Sequence, residues 1–111
     1  MSTWRSLSAQ WRASKAAVRS FARTWCVDLR ARHIRVNAIS PGVVPTPGYN
    51  TSLGMTQDQV NQFVSGSIDD IPLGRPGSPD EIAKGVVFLA SNDSSYVNGI
   101  ELFVDDGLAQ I

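Results

Sequence analysis

The apolar positions of this 111-residue chain change period several times, and each change predicts an element. From about residue 8 to residue 30, Ser14, Val18, Phe21, Trp25 and Leu29 recur at steps of three and four, with Ala17 and Ala22 beside them. That spacing predicts one buried stripe on an amphipathic helix near 9–31, with Arg12, Arg19, Arg23 and Arg30 off the stripe. Ala13, Ala16, Ala17 and Ala22 add helix propensity and permit close packing. The period breaks at Arg32-His33. Ile34 to Ile39 then predicts a strand, stopped by Ser40-Pro41-Gly42. Residues 42–55, with Pro45, Pro47, Gly48 and Gly54, predict an irregular stretch.

Thr56-Gln57-Asp58-Gln59 has the form of a capping box, in which the Thr hydroxyl and the Gln side chain satisfy each other's orphan amides. It predicts a short helix bearing Val60, Phe63 and Val64 and ended by Gly66. Ser78-Pro79-Asp80-Glu81 is the stronger start: Ser at the cap, Pro where no amide is needed, Glu closing the box. Ile82, Val86 and Leu89 predict the buried face of a helix near 79–91. Asn98-Gly99 predicts a turn, and residues 100–104 a second strand ending in Asp105-Asp106-Gly107. The order is helix, strand, helix, helix, strand. Two strands joined by a helical crossover are expected to be parallel, adjacent and right-handed, which makes the fold class α/β. A two-stranded parallel sheet is a poor independent unit, because such strands expect helices on both faces and neighbours on both edges. The strand at 34–39 has no partner for its far edge in these residues. Residues 1–111 are therefore expected to be a single, partial domain.

Composition narrows the choice. The chain is 42% hydrophobic and 18% charged, with nine glycines and six prolines, so it is neither low-complexity nor disordered. It is too short for both halves of a doubly wound dinucleotide-binding domain. No run of eighteen apolar residues is present, and arginines interrupt the first thirty positions, so the expectation is a cytoplasmic protein with neither signal peptide nor membrane span. The single Cys26 excludes an internal disulfide and a multi-cysteine metal site; no metal is expected. Zero net charge hides an asymmetry: residues 1–35 hold eight Lys/Arg against Asp28, and residues 36–111 hold two against nine acids. The basic residues are spaced along a helix without interleaved stacking aromatics, so a solvated face is expected rather than a nucleic-acid surface. No GxGxxG, Walker A, HExxH, CxxC or GxSxG pattern occurs. His33, in a helix-to-strand loop, reads as a surface histidine.

Five blocks together resemble the short-chain dehydrogenase/reductase family. They are Trp11 to Val18 (with Ser14-Lys15), Arg35 to Thr46 (with Pro41-Gly42-Val43-Val44-Pro45-Thr46), Pro72 to Ala83, Phe88 to Gly99, and Val104-Asp105-Asp106-Gly107. They run in family order from about residue 8 onward and match the carboxyl-terminal portion of that fold, a doubly wound Rossmann-like parallel sheet, here incomplete and without the glycine-rich half. The family's Tyr-x-x-x-Lys motif places both side chains on one helix face. The resemblance makes Lys15 the lysine, which holds the nicotinamide ribose and lowers the phenol's pKa. Trp11 occupies the tyrosine position. An indole only donates hydrogen bonds and has no accessible pKa for proton transfer, so Trp11 is not expected to function as the acid or base. The family's serine would precede this chain's first residues. The resemblance further implies that Lys15, Pro41, Gly42, Val44 and Thr46 meet the cofactor, NAD or NADP, at its nicotinamide end. Pro-Gly terminating a strand is the competing explanation for Pro41 and Gly42. The substrate implied is a small alcohol or carbonyl compound. Asp106 replaces the second glycine of Val-Asp-Gly-Gly; should that position need a positive φ, Asp tolerates it at some strain.

Three readings follow. The chain is a portion of an NAD(P)-dependent oxidoreductase, with little cofactor binding or activity of its own; or it is a non-catalytic assembly partner of a full-length relative; or it is a truncated product without a stable role. Its open strand edge and helix stripe predict self-association or pairing with a relative.

Overall fold

Alanines and arginines with no interior glycine or proline carry the first helix well past the length that propensity alone sustains. In a computed structural model, which describes the backbone of residues 2–110 and the side chains of residues 13–110, α1 spans Ser2–Asp28. It is followed by β1 (Ala38–Pro41), α2 (Pro47–Thr51), α3 (Gln57–Ile68), α4 (Pro79–Ala90) and β2 (Glu101–Val104). The two strands are parallel neighbours in a two-stranded sheet, as expected. The chain divides into two compact units, Met1–Ala38 with Ser94–Leu102 and Ile39–Asp93 with Phe103–Ile111.

In the first unit α1 ends at Asp28, and a 3₁₀ turn over Arg30–Arg32 closes on His33, whose φ of 54° lies in the left-handed region. The strand expected at 34–39 begins only at Ala38. Ahead of it, side chains replace the backbone ladder. The Val36 amide donates to Asn98 Oδ1 at 2.9 Å, and the Gly99 amide donates to Val36 O at 2.8 Å. Asn37 Nδ2 donates to Val97 O at 3.0 Å, and its Oδ1 accepts the Ile100 amide at 3.1 Å. An asparagine side chain carries the same donor and acceptor as a peptide group, so 34–37 is held to 97–100 without being a strand. After the Gly99–Val36 bond, backbone pairing continues where the Ala38 amide donates to Ile100 O at 2.9 Å. Arg35 donates to Ser94 Oγ at 3.0 Å and to Val97 O at 3.2 Å, and Ser94 is fully buried. Buried polar groups need such partners.

The stripe expected to be buried on α1 is not. Ala22 is buried, but Val18, Phe21 and Trp25 are 59%, 50% and 49% exposed; Phe21 and Trp25 stack on each other with ring centroids 5.0 Å apart. Likewise Val86 of α4 is exposed, while Ile82 and Leu89 are half-buried. Helical periodicity states which face is apolar, and two four-residue strands offer too little area to cover two such faces. Arg19 reaches Glu101 at 3.8 Å, an instance of the basic first segment meeting the acidic remainder.

In the second unit both capping boxes form. Thr56 Oγ1 accepts the Gln59 amide and Gln59 Oε1 accepts the Thr56 amide; Ser78 and Glu81 do the same. The helix opened by Thr56 runs past Gly66 to Ile68, since one glycine weakens a helix without ending it. The stretch 42–55, expected to be irregular, contains α2, with Pro47 in its first turn, where a proline loses no hydrogen bond. Tyr49 and Phe63 meet edge to face at 6.0 Å, joining α2 to α3. Val44, Val60 and Ile71 are the buried apolar residues of this unit among those described.

A Cβ added at Gly42 would lie 2.6 Å from Asp105 Cα, whereas at Gly66 nothing lies within 4 Å. Gly42→Ala is expected to lower stability by about 1–3 kcal/mol, because backbone cannot swing aside as a flexible side chain can. Gly66→Ala is expected to raise it by roughly 0.5–1 kcal/mol. Urea unfolding midpoints of the two variants check both signs.

Candidate functional site

Parallel α/β sheets bind ligands beyond the carboxyl ends of their strands, where the following loops diverge. In the second unit β1 ends at Pro41 and β2 at Val104, and the Gly42 amide donates to Val104 O at 3.0 Å. Beyond that last pairing lies a cavity of about 250 Å³. Gly42, Val43 and Val44 line one side, residues 103–107 another, and Ile71, Leu73, Arg75 and Gly77 a third, with Glu81 and Ile82 of α4 at its end. Ligand sites generally run from roughly 300 Å³ upward, so this one takes a small group.

Its charges are already paired. Arg75 makes a two-pronged bond to Glu81, Nη1 to Oε1 at 2.8 Å and Nη2 to Oε2 at 2.9 Å. Glu81 also accepts the Ser78 amide at 3.1 Å. The Arg75 hydrogen bonds, followed by the Ser78 amide, hold the Glu81 carboxyl down at about 2, from an ordinary 4.5. The same pair raises the Arg75 pKa. On the outer face of α4, Lys84 is raised chiefly by its hydrogen bond to Asp80, 3.0 Å away. Asp106 sits at a positive φ of 55°, and both its carboxylate oxygens accept the Leu73 amide, at 2.7 and 2.9 Å. Asp105 accepts the Gly107 and Ala109 amides and so shapes the final turn.

Of the residues singled out from the sequence, Pro41, Gly42, Val44 and Thr46 lie along one segment of this unit. Pro41 is exposed, Val44 is buried, and Thr46 caps α2 by backbone without a side-chain bond. Gly42 has a packing role of its own against Asp105. Lys15 is exposed on α1 in the other unit. The Trp11 side chain lies outside the described residues. Sequence reasoning did not single out Arg75 or the Asp106–Leu73 contact. Arg75 precedes a capping glutamate by six residues, a faint local signal. Asp106 and Leu73 are 33 apart, and no local pattern links them. Among the described residues no group of three His, Cys, Asp or Glu could hold a metal ion. No described helix is long and apolar enough to cross a membrane.

The family model described as enoyl-(acyl carrier protein) reductase matches residues 4–109. The chain belongs to the short-chain dehydrogenase/reductase family. It is 43% identical over 96 residues to a 3-oxoacyl-[acyl-carrier-protein] reductase of Thermotoga maritima, covering 86% of this chain and 36% of that protein. A short-chain dehydrogenase/reductase of unknown function from Caenorhabditis elegans, solved with cofactor, superposes with a TM-score of 0.81 at 33% identity, over 89% of this chain and 38% of that one. The L-sorbose reductase of Gluconobacter frateurii, complexed with NADPH and L-sorbose, gives 0.75 at 30% identity, over 89% and 40%. The chain thus spans little more than a third of the length of the relatives it matches.

Glu81 titrates at lower pH folded than unfolded, so its contribution to stability is complete above about 4.5 and is lost as pH falls toward 2. Glu81→Gln is expected to unfold more readily at neutral pH and to lose less further stability across that acid window. Urea midpoints measured through the window check both halves.

Proposed function

We propose that this chain is the nicotinamide-end portion of an NAD(P)-dependent oxidoreductase acting on an alcohol or carbonyl substrate, and that the 111 residues do not turn over by themselves. The observation that carries this reading is that Pro41 ends a parallel strand and 42–46 follow directly beyond its carboxyl end, where α/β sheets take ligands. The sorbose reductase, solved with NADPH and L-sorbose, supports the cofactor and substrate classes. The buried apolar Val44 and Ile71 in the cavity wall suit the nicotinamide end of a dinucleotide, and the Arg75 guanidinium is occupied by Glu81.

In this reading the backbone around Val44 and the Thr46 side chain hold the carboxamide, and Lys15 holds the ribose. The nicotinamide, when bound, supplies or accepts the hydride. Trp11 stands four residues before Lys15 and can donate a hydrogen bond but cannot pass a proton. Proton transfer by a placed side chain is worth roughly 10²- to 10⁴-fold in rate. A non-catalytic assembly role is the second reading, and the exposed Val18, Phe21 and Trp25 on α1 favour it.

The test joins residues 1–111 behind the glycine-rich half of the Thermotoga maritima relative. With Trp11→Tyr the chimera is expected to couple NAD(P)H oxidation to reduction of a small carbonyl, and with Trp11 kept to do so about 10²- to 10⁴-fold more slowly. The chain alone, with either residue, is expected to give no turnover. Turnover by the chain alone, or equal rates for the two chimeras, overturns the enzyme reading. Sedimentation of the pure chain as a dimer or larger at micromolar concentration, together with an inactive Trp11→Tyr chimera, favours the assembly role.

A further inference from the structure

The segment 71–77 is a strap fastened at three points. Its amino end is held by Asp106, whose two carboxylate oxygens accept the Leu73 amide at 2.7 and 2.9 Å. Its middle is held by the bond of Arg75 to Glu81. Its far end is held where the Gly77 amide donates to Val43 O at 2.9 Å. Alternate residues of the strap, 71, 73, 75 and 77, face the cavity beyond the strand ends, so the strap is one of its walls.

The three fastenings differ in kind. Val43 and Gly77 are joined by backbone alone, and the two-pronged ion pair of Arg75 with Glu81 fastens the strap's middle to α4. The Asp106 bond joins a charged acceptor to an amide across 33 residues, and hydrogen bonds to charged groups are among the stronger ones. It is also held at a conformational cost, since a non-glycine residue at φ 55° is strained where glycine is not. A side chain kept in a strained backbone position is expected to return something that glycine cannot. We infer that Asp106 is a catch: it holds the strap shut as the movable wall of the cavity, so that releasing this one contact lets 71–74 open while α4 and the strands stay in place. Asp106 is in this respect a positioning residue that acts through the strap.

Amide hydrogen exchange of the full chain tests this, with Asp106→Gly and Asp106→Asn beside the wild type. Asp106→Gly keeps the backbone conformation and relieves its strain, so it does not threaten the fold. If Asp106 is the catch, the Leu73 amide exchanges about tenfold faster or more in Asp106→Gly, while amides of α4 keep their rates. Asp106→Asn, whose side-chain oxygen can still accept one amide and which tolerates the left-handed region, is expected to recover most of that protection. Leu73 exchange no faster in Asp106→Gly than in the wild type overturns the inference, including the case where Leu73 is unprotected in both. Acceleration of α4 and Leu73 together also overturns it, because the contact would then serve the whole fold and not the strap.

Discussion

The ends of the two strands approach so closely that no side chain fits between them. A Cβ on Gly42 would stand 2.6 Å from the Asp105 backbone, and this closeness puts the Gly42 amide within 3.0 Å of Val104 O. Everything that forms the second unit's cavity hangs on that approach. Asp105, fixed opposite Gly42, turns the chain through Gly107, and Asp106 is thereby aimed at the Leu73 amide. The segment after Gly42 leads through Val43, which accepts the Gly77 amide, to Val44, which is buried. A glycine placed for close ligand approach and a glycine placed for close strand approach leave the same mark in a sequence. Here the second role is visible in the distances.

The first unit solves a different problem, how to start a parallel pair without a long ladder. Asn37 and Asn98 use their side-chain amides as extra peptide groups, and Arg35 ties Ser94 and Val97 beneath them. Four hydrogen-bonding side chains and the Gly99–Val36 backbone bond thus hold the register ahead of Ala38 and Ile100. A polar run placed at the mouth of a sheet costs little when each group is satisfied.

Membership in the short-chain dehydrogenase/reductase family accounts for the order of the elements and for the blocks around Ser78 and Pro41. Two departures from the family pattern concern chemistry and geometry separately. Trp11 stands where the family resemblance places a tyrosine, and an indole only donates hydrogen bonds. Asp106 stands where a glycine is expected, and the structure supplies a reason for it: the carboxylate that glycine lacks reaches Leu73.

The sequence by itself determined what is settled within one turn of chain. Thr56 with Gln59 and Ser78 with Glu81 start their helices where local hydrogen bonding demands, and the alanines and arginines of α1, with no interior glycine or proline, mark it as helical. Both strands, their parallel sense and the tolerance of Asp106 for a positive φ were legible too. Burial was not: periodicity marked Val18, Phe21 and Trp25 as an apolar face, but only the presence of a covering layer makes such a face a core, and here they stand half in solvent. The start of β1 was not legible either, because Ile34 to Asn37 have strand character, yet residues 35–37 are tied to residues some 60 positions away largely through side-chain hydrogen bonds. Tertiary structure alone decided that Gly42 meets Asp105 and that Asp106 meets Leu73. Local rules act through neighbours three and four residues apart, whereas these contacts exist only once two distant segments have been brought to the same strand end.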